Sequence, residues 1–118
     1  MKIEKIDGRE YPSAIVLLSR TFEVKWHEGK VPCKEADELV QGWCDTDGQT
    51  LHINRLLANS AVAEVLLHEL NHAINWMWEN EHIKREEEDQ TNQLSITLIT
   101  VARQNPGFLT WLDVMSAI

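Results

Sequence analysis

The sequence predicts an α+β fold, with short strands in the first half of the chain and helices in the second. Two observations support this class. Apolar and polar residues alternate with period two in segments before residue 55, and helical spacing of apolar residues takes over after residue 59. Strands in one part of a chain and helices in another are typical of α+β proteins. At 118 residues, 43% of them hydrophobic, the chain has the size and apolar content of a single domain spanning residues 1–118.

The first segments combine one open assignment with one clear strand. Residues 10–19 fit either a short helix, with Pro12 in its first turn, or a buried strand. Residues 21–26 alternate apolar and polar side chains and therefore predict a half-buried strand. Residues 28–38 hold a glycine, a proline and a cluster of charges, which predicts an exposed loop.

A β-hairpin is predicted next. Residues 39–45 and 49–54 flank a short connection that contains glycine, and two such runs at this separation are typical of paired antiparallel strands. In the second strand the apolar residues at 51 and 53 share one face, so His52 points to the other.

The second half predicts two longer helices and a short terminal one. A helical pattern runs from the N-cap residues Asn59-Ser60 to about Trp78. Its apolar stripe consists of Val62, Leu66, Leu70, Ala73 and Met77. A second helix covers about 85–104, with Leu94, Leu98 and Val101 on one side, and ends at Asn105-Pro106-Gly107. A short helix towards Ile118 follows.

Charge and cysteine content narrow the functional classes. The chain has 19 acidic and 11 basic residues, a net charge of −8, which disfavours binding to a nucleic-acid backbone. No apolar run is long enough to span a bilayer, and the amino terminus lacks a secretory signal, so we expect a soluble cytoplasmic protein. Cys33 and Cys44 lack Cys-x-x-Cys partners, and we expect both to be thiols.

The most informative motif is His68-Glu69-Leu70-Asn71-His72, an H-E-x-x-H sequence within the predicted helix. Residues four apart lie on the same helix face, so both imidazoles can reach one zinc ion. Glu69 would then lie within reach of a zinc-bound water. The apolar stripe lies roughly opposite these histidines, which places them away from the core. The competing interpretation is two solvated histidines on a polar helix face.

A third zinc ligand has to come from elsewhere in the chain. The metzincin extension of the motif requires Gly at 75 and His at 78, but these positions hold Asn75 and Trp78. The acidic run at 86–89 opens the next helix, where the usual role of carboxylates is to stabilise a helix start. Helical phase favours Glu88 over Glu87 as a ligand. Further alternatives are Glu86 and His82, and Asn92 is suited to hydrogen-bond a ligand histidine.

The motifs at 42–45, 49–54 and 65–73 together resemble small phage and prophage zinc metallopeptidase-like proteins, relatives of the ImmA/IrrE group of gluzincins. That group follows its H-E-x-x-H helix with a helix of the form E-x-x-A-N-x-F-A. This chain has Glu88-Asp89-Gln90-Thr91-Asn92-Gln93-Leu94-Ser95, which departs from the pattern at three positions and supports Glu88. The resemblance covers about residues 39–106. It implies a small antiparallel sheet packed on two metal-bearing helices, with strand 49–54 bordering the cleft and His52 facing it.

The leading functional hypothesis is peptide-bond hydrolysis by zinc held by His68, His72 and Glu88, with Glu69 as general base. The resemblance implies an intracellular protein substrate, such as a repressor or another regulatory protein, in the cytoplasm of a phage or prophage host. Two alternatives stay open. One is a zinc-stabilised protein-binding module without significant catalysis, and the other is a metal-free helical adaptor. The oxyanion stabiliser is unassigned, with His82 as a candidate, and Trp76 and Trp78 belong either to the core or to a binding surface.

Overall fold

The fold is a mixed α+β structure with a five-stranded sheet and three helices, which confirms the predicted class. The computed structural model describes residues 1–34, 37–80 and 87–117, and the side chains of all of these except 80 and 87–93. The strands are β1 (Lys2–Ile6), β2 (Arg9–Leu17), β3 (Arg20–His27), β4 (Val31–Cys33), β5 (Glu38–Val40), β6 (Gly42–Asp45) and β7 (Thr50–Asn54). The helices are α1 (Asn59–Asn80), α2 (Glu87–Gln104) and α3 (Phe108–Ser116).

The main sheet has the strand order β1-β2-β3-β7-β6. Three neighbouring pairs are antiparallel, but β3 and β7 run parallel, with Val24 beside Leu51. The expectation of a purely antiparallel sheet was therefore wrong. The connection between β3 and β7 includes β4, β5 and β6 and is therefore long enough for the crossover that brings β7 back in the direction of β3, with Leu51 buried beside Val24. The predicted hairpin is confirmed as β6–β7.

The open assignment at 10–19 is settled as a strand, β2, whose Tyr11, Ile15 and Leu17 are buried in the core. The predicted loop at 28–38 was wrong in part, because β4 lies within it and pairs with β5 as a separate two-stranded sheet. Burial of Val31 accounts for this strand, and a two-stranded sheet tolerates Pro32, which cannot donate a backbone hydrogen bond.

The strand predicted over 39–45 is divided at Gln41. Residues before it pair with β4, and those after it pair with β7. The Gln41 carbonyl accepts a hydrogen bond from the Asn54 backbone, and its side-chain oxygen accepts one from the Asn54 amide. Gln41 thus connects the end of β7 to the point where the chain passes from the small sheet to the large one.

Helix α1 packs on β6, β7 and α3 with the predicted stripe. All five stripe residues, Val62, Leu66, Leu70, Ala73 and Met77, are buried, and they contact the core face of the sheet. On α2 the predicted apolar side is only partly buried, since Val101 is covered but Leu94 and Leu98 are exposed. Among the described residues, no helix has the length and apolar character needed to cross a membrane.

The ends of α2 and α3 hold β2 in place through polar side chains. The amide of the buried Asn105 accepts a hydrogen bond from Val16 N–H and donates one to Val16 C=O, and Gln104 does the same for Leu18. The indole N–H of Trp111 donates to the Glu10 carbonyl. These side chains satisfy the backbone of β2 much as another strand would, so the two helices are fixed to the sheet by specific bonds as well as by apolar contact.

Candidate metal centre

The two motif histidines lie one turn apart on the exposed face of α1. Their Nε2 atoms are 3.1 Å apart, and the rings meet edge to face with centroids 4.8 Å apart. Two nitrogens bound at about 2.0–2.1 Å to one tetrahedral zinc ion would be roughly 3.3 Å apart. The separation therefore fits joint ligation of one zinc ion, and it fits equally a hydrogen bond between the two imidazoles.

Glu69 is oriented differently from its neighbours in the motif. It is only 5% exposed, whereas His68 and His72 are exposed. Its carboxylate oxygen Oε1 is 3.9 Å from His68 Nε2, and the ligand atoms of all three residues lie within 4.8 Å of one another. Burial raises the pKa of the Glu69 carboxyl above its ordinary value, although the nearby imidazoles act in the opposite direction.

Glu69 is buried because β6 lies directly against this part of α1. Gly42 makes the approach possible, since a Cβ atom at that position would lie 2.5 Å from Val65 Cγ1 and 3.1 Å from Glu69 Cγ. Between strand and helix is a cleft of about 260 Å³. It is lined by Gly42, Trp43, Cys44, Thr46, Glu69 and His72. The carboxylate and one motif histidine thus share a concave site with the last strand of the sheet.

The prediction of which strand borders the cleft was wrong. The resemblance implied strand 49–54 with His52 facing the cleft, but β7 lies inside the sheet, paired with β3 on one side and β6 on the other. Strand β6 borders the cleft instead. Gly42 and Trp43 line the cleft but were not among the predicted site residues, although both stand within the segment that carries the resemblance. The sequence signal for this wall of the cleft is a glycine next to a tryptophan in a strand, because such a glycine permits close approach of a helix.

His52 and Trp43 stand directly across from each other on β7 and β6, so their side chains share the face of the sheet turned away from the buried Leu51. Its ring stacks on Trp43 at an interplanar angle of 14°, and its Nδ1 is 2.9 Å from His27 Nε2, a hydrogen bond between the rings. Burial, and next the neighbouring His27, lower the pKa of His52. Trp43 Nε1 is buried and has no hydrogen-bond partner among the residues that the structure describes. These contacts fix the plane of the Trp43 ring on that face of the sheet.

For the predicted third ligand the structure describes the backbone but not the side chain. Glu88 and its alternative Glu87 belong to the first turn of α2, but their side chains lie outside the described residues. The same holds for the side chain of Asn92. Glu86 and His82 lie outside the described residues altogether. The identity of the third ligand therefore stays a prediction.

The two tryptophans beyond the motif, which the sequence left open between core and binding surface, pack against the core. Both are half-buried and pack against the apolar cluster. Trp76 meets Phe22 edge to face, and the guanidinium of Arg20 lies over its ring. Trp78 donates its indole N–H to the hydroxyl of Thr97 on α2.

Cys33 and Cys44 are both thiols, as the sequence predicted.

The donor set at this centre suits zinc. Imidazole nitrogen is a preferred zinc donor, and a catalytic site commonly combines two or three histidines with a carboxylate. Within the described part of the chain, the only cluster of three potential metal-binding side chains is His68, Glu69 and His72.

Comparisons of the chain with known proteins found no matching family model, no matching curated protein and no matching solved structure.

Proposed function

We propose that the chain is a zinc-dependent metallopeptidase of the gluzincin type, acting on an intracellular protein substrate. The observation that carries the proposal is the pairing of two exposed imidazole nitrogens 3.1 Å apart with a buried carboxylate beside them. Two solvated histidines on a polar face need no buried glutamate next to them. A buried glutamate is costly to keep and is more often found where it has chemical work to do.

His68 and His72 would hold the metal, with Glu88 as the proposed third ligand and Glu87 as its alternative. Bound zinc supplies Lewis-acid chemistry, lowering the pKa of a water and polarising a substrate carbonyl. Glu69 would accept the proton of the attacking water and deliver it to the leaving amine. Burial raises the pKa of this carboxyl, which favours its acceptance of a proton.

We place the substrate along β6. This strand ends the five-stranded sheet and borders the cleft that contains Glu69 and His72. An extended peptide added beside it would gain backbone hydrogen bonds, and its side chains would alternate between the cleft and solvent. In this arrangement the strand segment from Gly42 to Cys44 forms one wall of the binding site.

The first experiment measures bound zinc. The purified chain is expected to hold about one zinc ion, in keeping with a single mononuclear site. His72→Ala should lose the metal, and Glu69→Gln should retain it, because a general base is not a ligand. Glu64→Gln is the matched control, since it makes the same change at an exposed position on the same helix. A wild-type chain that binds no zinc, including after incubation with excess zinc, would refute the proposal.

The third ligand and the reaction are tested separately. Glu88→Gln should weaken zinc binding far more than Glu87→Gln, and the reverse ranking would transfer the role to Glu87. Cleavage is tested with the zinc-loaded chain and a peptide library, in which Glu69→Gln should abolish hydrolysis and Glu64→Gln should not. If zinc binds stoichiometrically but no peptide is cut, the zinc-stabilised binding module becomes the better description.

A further inference from the structure

A second concave site lies away from the candidate metal centre, between α3 and the first two strands. It encloses a cavity of about 470 Å³, within the range of sites that hold small molecules. Its floor is formed by Trp111 and Met115, which are 8% and 4% exposed. Ile3 and Val114 form the rim and are about half exposed. None of the residues lining this cavity lines the cleft at Glu69.

The two charged residues at the cavity differ in whether an opposite charge lies beside them. Arg9 and Glu10 both line it. Glu10 stands directly across from Lys5 in the β1–β2 ladder, so its charge has a cationic neighbour. Arg9 stands across from the apolar Ile6, and its NH1 donates to the neutral Asn59 side chain at 2.8 Å. Among the described side chains, no carboxylate forms an ion pair with Arg9.

We propose that this cavity binds a small apolar molecule that carries one anionic head group, such as a medium-chain carboxylate. The apolar part would lie on Trp111 and Met115 and cover Ile3 and Val114, removing exposed apolar surface from water. The head group would meet the guanidinium of Arg9, whose planar set of donors matches a carboxylate. The chain as a whole carries a net charge of −8, so binding of an anion here depends on the local cation.

The test uses the full-length protein and the dye 1-anilinonaphthalene-8-sulfonate, an apolar ring system with one sulfonate. The dye is expected to bind with a rise in fluorescence and to be displaced by decanoate. Decyltrimethylammonium, which has the same chain and the opposite charge, should displace it at least about tenfold less well, the size expected for loss of one charge-assisted contact. Equal displacement by the two compounds would overturn the assignment of an anionic ligand.

Two variants locate the site. Thr110→Trp places an indole in the cavity, whereas Leu109→Trp adds the same group to the neighbouring position on α3, which does not line the cavity. Both positions are exposed, so both variants are expected to fold with unchanged circular dichroism. Thr110→Trp should abolish dye and decanoate binding, and Leu109→Trp should preserve both. Equal binding by the two variants would place the dye elsewhere and refute the proposal.

Arg9→Gln tests the head-group contact. It should reduce decanoate affinity by about tenfold without weakening the binding of decyltrimethylammonium, whose positive charge the guanidinium repels. Sedimentation analysis checks the competing occupant, a second copy of the chain. A wild-type dimer that Thr110→Trp converts into a monomer would show that the apolar cavity is a protein interface and would overturn the ligand proposal.

Discussion

Replacing Gly42 by alanine tests how closely β6 approaches the H-E-x-x-H helix. The added Cβ would lie 2.5 Å from Val65 Cγ1 and 3.1 Å from Glu69 Cγ. A valine in a helix is largely restricted to one χ1 rotamer, so Cγ1 cannot rotate away at low cost. Either the strand or the helix must therefore move.

The expected cost can be worked from two opposing effects. Overpacking of this kind costs about 1–3 kcal/mol, and the smaller conformational freedom of alanine in the unfolded chain returns about 0.4–1 kcal/mol. Gly42 does not have a positive φ, so its backbone conformation itself does not penalise alanine. Taking the middle of each range, about 2 and about 0.7 kcal/mol, we expect a net loss of roughly 1.3 kcal/mol, which lowers Tm by about 5 °C for a domain of this size.

The assay is urea and thermal unfolding of a double-mutant cycle. Val65→Ala removes the atom that the new Cβ would meet, so Gly42→Ala should be less destabilising in that background, with a coupling energy of about 1 kcal/mol or more. Gly42→Ala that is as stable as wild type, or costs that simply add in the double variant, would show that β6 and α1 are not in the close contact described.

Further predictions concern stability and pH. Asn105→Ala is expected to lower the free energy of unfolding by about 2–4 kcal/mol, because it leaves the N–H and C=O of Val16 without partners. Gln104→Ala, at a less buried position, should cost about 1 kcal/mol, and equal losses in urea would contradict this ranking. The lowered pKa of His52 means that the unfolded chain takes up this proton more readily than the folded chain, so stability falls as pH drops below about 6.5. His52→Phe keeps a ring beside Trp43 and should lose less stability between pH 7.5 and 5, whereas parallel pH profiles would argue against this. Because both cysteines are thiols, dithiothreitol should leave Tm unchanged.

Features that depend on local sequence were predictable. The five stripe residues of α1 repeat at helical spacing, and the same spacing places His68 and His72 on one exposed face. The β6–β7 hairpin follows from two short runs around a glycine-containing turn. In each case neighbours along the chain decide the structure.

Features that depend on distant pairing were not predictable. Strand β4 forms because Val31 is buried, although the surrounding residues have the composition of a loop. The parallel pairing of β3 with β7 joins segments separated by the small sheet and β6. Burial of Glu69 likewise results from the approach of β6 to α1, which requires Gly42. Helical phase alone places Glu69 beside the histidines and says nothing about which strand covers it.

The bonds that fix α2 and α3 to β2 join segments that lie far apart in the sequence. Asn105 bonds to Val16 across 89 positions, and Trp111 bonds to Glu10 across 101. Contacts of such long sequence separation slow folding, because the loop between them must be closed before they form. During synthesis, β2 therefore emerges from the ribosome long before the side chains that complete it. We expect the motif histidines to leave the exit tunnel well before the core closes, because the core is completed only after residue 111 has emerged.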